Sequence, residues 1–195
     1  MNKLITICSL VILVAGPAAF AVVTNQIWYF DDQTKLTPDV LENPYGDPVL
    51  MVDTSPAGGW VPDPSGQGGG WALSGEIDVL IKNDPALREK KEIEILLTWR
   101  PGELGILPSR PLVGVSAEQM EAMSMQVVPQ EPKDGWNVTL FDITIWPNPP
   151  EEWIAIKGDI VVDELAIKTE CIPEPATMGL LGLGSLALLR FRRKR

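Results

Sequence analysis

The residue types that most often do chemistry are thinly supplied in this chain, and the scarcity shapes every functional reading. The 195-residue sequence has no histidine, which removes the commonest general base and the commonest transition-metal ligand together. Of its two cysteines, Cys8 lies inside an apolar N-terminal run and Cys171 is the only thiol beyond it. Neither a cysteine–histidine nucleophile nor a zinc site of ordinary type can be assembled from that set. No G-x-S-x-G, phosphate-binding loop or dinucleotide fingerprint occurs, so no cofactor and no resident metal are expected. Carboxylates are plentiful, with 26 Asp and Glu, and two at a suitable separation would suffice for glycoside hydrolysis. Most of them alternate with apolar residues, however, and read as solvated strand faces. Asp31, Asp32 and Asp163 carry the hard oxygen atoms that calcium takes, but no calcium-binding loop surrounds them and they too read as surface acids.

Tryptophan is the more informative residue. Trp28, Trp60, Trp71, Trp99, Trp136, Trp146 and Trp153 make up the seven, and an indole left open to solvent offers a flat apolar face on which a sugar ring can stack. Trp60 and Trp71, in or beside a Gly-rich stretch, and Trp146, which precedes the Pro147–Pro150 run, are the expected exposed rings and the candidate glycan-binding residues. Trp99 falls in the inward frame of its strand with Ile95 and Leu97, and reads as core.

The elements that must position these residues are strands. Thr24–Phe30 is β-rich and opens the body, and Val49–Val52 is a second short strand. In Glu76–Lys82, Ile77, Val79 and Ile81 alternate with charges, and in Glu92–Arg100, Ile93, Ile95, Leu97 and Trp99 do the same. A period of two with charges on one side predicts half-buried antiparallel strands, here expected to be neighbours joined through Asn83–Lys91. Leu112–Val115, Met123–Val128, Asn137–Trp146, Trp153–Lys157 and Asp159–Lys168 complete the set. The apolar frame of Asn137–Trp146 switches near Leu140-Phe141, which predicts a bulge. A helical turn is expected at most around Pro38–Glu42 and Ser116–Glu121, and Asp53–Gly70 reads as one long Pro/Gly loop. Seven to nine short strands without an amphipathic helix predict a mainly β chain, a single β-sandwich of jelly-roll type. Its closing run, GDIVVDELAIKT, resembles the last strand of galactose-binding-like jelly rolls.

Both ends have a different composition from this body. Met1–Ala21 has a basic Lys3, an apolar run from Leu4 to Ala15, a Gly16-Pro17 break and Ala19-Phe20-Ala21 in small-x-small order, the pattern of a secretory signal peptide cut by signal peptidase. Cys8 lies inside the apolar run rather than at its end, which argues against a lipoprotein. Between Val22 and Pro175 there are 10 Lys and Arg against 26 Asp and Glu, a net charge of −16. So acidic a body disfavours nucleic acid as a partner. With Cys171 as its one thiol it cannot form an internal disulfide, despite an oxidising destination. The expected domain is Val22–Ile172.

The final segment, residues 173–195, reads PEPATMGLLGLGSLALLRFRRKR. Pro173, Glu174 and Pro175 precede an apolar run from Ala176 to Leu189, and Arg190, Arg192, Arg193, Lys194 and Arg195 close the chain. As a helix the run would extend about 21 Å at roughly 1.5 Å per residue, against a hydrocarbon core of roughly 30 Å. The order of parts decides the reading: prolines that stop a helix upstream, no ionisable side chain in the run, and five cations that must stay in water on the cytoplasmic side. This is a short transmembrane anchor with a basic stop. The tail resembles the PEP-CTERM sorting signal of bacterial exported proteins, also labelled an ice-binding protein C-terminal domain. The resemblance implies that Pro173, Glu174 and Pro175 are recognised by an exosortase, a membrane enzyme that cuts near the triplet and passes the protein to the cell surface or an exopolysaccharide matrix. The expected function is therefore that of a non-enzymatic, exported surface or matrix protein. The alternatives are a carbohydrate-binding module using loop tryptophans and a glycan-active enzyme.

Overall fold

The structure is a computed structural model and describes residues 21–31, 36–52, 59–62, 69–73, 75–85, 89–102, 108–110, 112–114 and 122–172. Residues 22–172 form one compact unit. The segment expected to be a signal peptide, up to position 20 with Ala19, and the whole tail from Pro173 onward lie outside the described residues, as do Asp32 and the turn expected at Ser116–Glu121.

The described chain is mainly β, with twelve strands: β1 (Val22–Tyr29), β2 (Val40–Glu42), β3 (Val49–Val52), β4 (Gly59–Pro62), β5 (Gly69–Leu73), β6 (Glu76–Lys82), β7 (Lys90–Pro101), β8 (Leu112–Gly114), β9 (Ala122–Pro129), β10 (Asn137–Trp146), β11 (Glu151–Lys157) and β12 (Ile160–Ile172). They make two antiparallel sheets. The larger runs β2-β1-β12-β7-β10-β9, with β5 also paired to β12 and β4 to β5, and the smaller runs β3-β6-β11-β8.

Alternation explains how the two sheets share one core. In the larger sheet the residues abreast of one another on the inner face form rows, such as Gln26, Ile167, Ile95, Phe141 and Val127. The smaller sheet contributes Ile77, Val79 and Ile81 from β6 with Ile154 and Ile156 from β11, and all of these fall in one hydrophobic cluster with Ile95, Phe141 and Ile167. Each such side chain, fully removed from water, contributes roughly 1.5–3 kcal/mol relative to leaving it exposed. The row ends in water at Val127, because β9 is an edge strand whose residues are largely exposed.

β12 is the central strand, and a bulge lets it serve two partners on one side. Residues 160–162 pair with β5, residues 164–171 pair with β1, and the register against β7 shifts between Val162 and Glu164. Asp163 is the extra residue at this handover, and its carbonyl accepts the Phe30 N–H at 2.9 Å. β9 and β10 are joined by a tight turn in which Asp134 and Gly135 both have positive φ and Lys133 and Trp136 exchange backbone hydrogen bonds of 3.0 and 2.8 Å.

Four local expectations are corrected. β6 and β7 are not neighbours: β6 pairs with β3 and β11, β7 with β10 and β12, in different sheets. Alternation dictates which face is buried, and two strands that face each other across a core show the same pattern as two that lie side by side. Val40–Glu42 is strand β2 and not a helical turn. The stretch Asp53–Gly70 contains β4 and the start of β5. No bulge lies at Leu140-Phe141, where β10 keeps its register against both β7 and β9. The apparent frame switch arises because Thr139 takes an inner position and accepts a 3.0 Å hydrogen bond from Trp99 Nε1, while Leu140 stays half-buried on the outer face.

The rows define a stability contrast. Ile95→Ala, at a fully buried position between Ile167 and Phe141, is expected to cost about 2–5 kcal/mol in denaturant unfolding. Val127→Ala in the same row but exposed should stay within about 0.5 kcal/mol, and equal losses would contradict the layer assignment.

Candidate functional site

The tryptophans divide by the strand positions they occupy. Trp28, Trp99 and Trp136 are buried, and Arg100 lies over the Trp136 ring with its guanidinium carbon 4.8 Å from the centroid. Trp60 and Trp71 are directly opposed across β4 and β5. Neither is an open loop ring. Trp71 packs against the core with its Nε1 buried and without a hydrogen-bond partner, and Trp60 Nε1 donates to the Phe30 carbonyl at 3.0 Å. The Trp60 ring lies over Gly69, where a side chain would stand 2.6 Å from Cε2. Trp146 ends β10 half-buried, ahead of a cis bond to Pro147.

Trp153 is the tryptophan most exposed among the described residues, at 38%. It sits on the outer face of the smaller sheet, in a row with Val49, Leu80 and Gly114, and the next row holds Met51, Asp78, Ala155 and Leu112. Val49, Met51 and Leu112 are all exposed on this face, Leu112 at 59%. At one end of it Lys157 and Glu76 form an ion pair of 2.9 Å. An exposed aromatic ring beside exposed apolar side chains is suited to stacking.

The most unusual arrangement is polar and buried. Lys91 stands on the inner face of β7, in a row with Cys171 of β12 and Ile145 of β10. Glu152 stands on the inner face of β11, two residues before Ile154. Both side chains are at 0% exposure, and Lys91 Nζ is 2.6 Å from Glu152 Oε1. Asn83, just past the end of β6, completes the group. Its Oδ1 accepts from Lys91 Nζ, and its Nδ2 donates to Glu152 Oε2 and to the Pro149 carbonyl at 2.8 Å. A backbone bond from Asn83 N to the Pro150 carbonyl, 2.9 Å, fixes the loop that carries it. Beside them Cys171 Sγ donates to Asn148 Oδ1 at 3.3 Å, and Asn148 Nδ2 donates to the Asp84 carbonyl at 3.2 Å. Burial pushes the Glu152 carboxyl above its ordinary value against the opposing charge of Lys91. Burial likewise pushes the Cys171 thiol up, which holds it in its unreactive form.

The sequence carried a signal for this group. Lys91 continues the Ile93, Ile95, Leu97 frame backwards by one step, and Glu152 does the same for Ile154 and Ile156. Starting the strands at Glu92 and Trp153 left both residues outside their inward frames. Asp31 is exposed and Asp163 lies in the bulge. Among the described residues no three His, Cys, Asp or Glu side chains are grouped to hold a metal ion.

Comparison with known families gives one match: a model of the PEP-CTERM protein-sorting motif fits residues 172–194. The tail from Pro173 therefore carries that motif, as its resemblance implied. The match begins at Ile172, which is also the last residue of β12. No curated protein and no solved structure matches the chain.

The packing of Trp60 on Gly69 sets a test. Gly69→Ala places a methyl group against the ring and against the Val61 carbonyl, and is expected to destabilise the protein by about 1–3 kcal/mol. An unchanged thermal unfolding curve would mean that the ring is free to move away.

Proposed function

We propose that this chain is an exported, non-enzymatic protein of a bacterial cell surface or exopolysaccharide matrix, sorted by an exosortase that recognises Pro173, Glu174 and Pro175. The observation that carries the reading is the sorting motif at residues 172–194, beginning where the last core strand ends. In this account signal peptidase removes Met1–Ala21 after Ala19-Phe20-Ala21, and the Ala176–Leu189 helix holds the precursor in the membrane. The cations Arg190, Arg192, Arg193, Lys194 and Arg195 remain cytoplasmic. The body itself is read as a jelly-roll β-sandwich. The order β1-β12-β7-β10 in one sheet and β6-β11-β8 in the other supports this, since successive strands from β6 to β8 and from β10 to β12 alternate between the sheets.

Replacing Pro173, Glu174 and Pro175 together by alanine should leave the chain in the membrane fraction at its uncut mass, while the parent sequence is processed and released from that fraction. Identical mass and location for both would contradict exosortase recognition.

A second reading, binding of a polysaccharide by the body, is favoured by the Trp153 face rather than by Trp60 and Trp71. Trp153 lies among exposed Val49, Met51 and Leu112 with Gly114 beside it, so a sugar ring meets no side chain from that neighbour. Trp153→Ala is expected to lower retention on the producing cell's own polysaccharide at least tenfold, a loss of about 1.4 kcal/mol or more, with the unfolding midpoint nearly unchanged because the ring is exposed. Equal retention of both proteins would remove this reading and leave the sorting account intact.

A further inference from the structure

The buried group at the end of the two sheets has the parts and the arrangement of a self-processing cross-link. An amine, a carboxamide and a carboxyl group meet with Lys91 and Glu152 at 0% exposure and Asn83 also buried. The carboxyl bridges the other two: Oε1 faces Lys91 Nζ at 2.6 Å, and Oε2 accepts from Asn83 Nδ2. Lys91 Nζ is at the same time in contact with the Asn83 carbonyl oxygen. Nothing in maintaining an ordinary core calls for this set, because desolvating an ion pair costs several kcal/mol per ion and apolar residues of similar size pack at least as well.

We propose that Lys91 and Asn83 form an intramolecular isopeptide bond, made by the folded protein itself with Glu152 as its catalytic residue. Glu152 takes a proton from the Lys91 ammonium through Oε1, which frees the nitrogen lone pair. Nζ attacks Asn83 Cγ, the Nζ–Cγ bond forms and the carbonyl electrons move onto Oδ1. A second proton passes from Nζ by way of the Glu152 carboxyl to Nδ2. The Cγ–Nδ2 bond breaks as the carbonyl re-forms, and ammonia leaves. The three ammonium protons are accounted for: one stays on the new amide, one departs with ammonia and one remains on Glu152. No oxidant, metal or cofactor enters the balance. Glu152 ends as the neutral acid, the form its burial favours, positioned to hydrogen-bond the new amide.

Position supports the assignment. Lys90, next in sequence, is partly exposed and pairs with Glu92 at 2.6 Å, so of these two neighbours it is Lys91 that presents its amine to Asn83 Oδ1. The bond would join the end of β6 in one sheet to the start of β7 in the other. Its row also contains Cys171, one residue before β12 ends. In a body that cannot make an internal disulfide, an amide supplies a covalent tie that reduction does not break.

The test is peptide mapping of the full-length protein after trypsin digestion. The expected product is a branched species that joins Asn83–Arg88 to the peptide beginning at Lys91 and is lighter than their sum by one ammonia, with cleavage after Lys90 retained. Glu152→Gln should give the two linear peptides at full mass and a lower unfolding temperature. The parent digest decides the matter whether or not that variant folds. Linear Asn83–Arg88 at full mass from the parent protein would overturn the proposal and leave a buried ion pair. The same peptide lighter by ammonia but unbranched would overturn it as well, because the asparagine would then have cyclised on its own backbone.

Discussion

The structure depends on a polar group, Lys91, Glu152 and Asn83, that is sealed from water between the two sheets. Lys91 and Glu152 occupy inner positions on facing sheets, where the frames of their strands otherwise supply apolar residues, Ile93, Ile95, Leu97 and Trp99 in β7 and Ile154 and Ile156 in β11. Such side chains are tolerated there only where they are held in good geometry and their remaining hydrogen-bonding atoms are met. Asn83 meets both of them, and Asn83 is in turn held by the carbonyls of Pro149 and Pro150. The approach to β11 and the exit from β6 are therefore fixed to one another at the point where β7 begins. At this end the sheets are joined by specific contacts as well as by apolar packing.

That placement bears on how an exported protein is carried. β12 ends at Ile172, the residue at which the sorting motif begins. β12 is flanked for most of its length by β1 on one side and β7 on the other. The strand that ends at the motif is thus the most heavily paired in the described body, and it ends close to the polar group that ties β7 to its facing sheet. Thr24 and Thr169, whose hydroxyls are 2.7 Å apart, add a polar link between β1 and β12 in the adjacent row.

How much of this was legible in the residues follows from what a period of two encodes. It reports which side chains are buried, and so it located the cores of β6 and β7 and placed Trp99 inside, while β-rich composition marked β1. It does not report partners, which is why β6 and β7 were expected side by side when they lie in different sheets that share one core. Proline and glycine were read as loop between Asp53 and Gly70, but Trp60 and Trp71 pair across two short strands, and Gly69 is there to make room for a ring. Exposure of tryptophan was sought in loops, whereas Trp153 is exposed on a regular strand because the smaller sheet has an uncovered outer face. Lys91 and Glu152 escaped notice because a charged residue at the end of an apolar frame looks like the place where burial stops. The sorting motif of the tail was legible, since its meaning lies in order and composition rather than in folding.

The most direct measurement is a high-resolution crystal structure of the exported protein, examined at the junction of β6, β7 and β11. The account predicts Glu152 sealed from solvent and hydrogen-bonded toward both Lys91 and Asn83, with continuous density from Nζ to Cγ. Lys91 or Glu152 turned out into water, with the space between the sheets filled by apolar side chains, would contradict it.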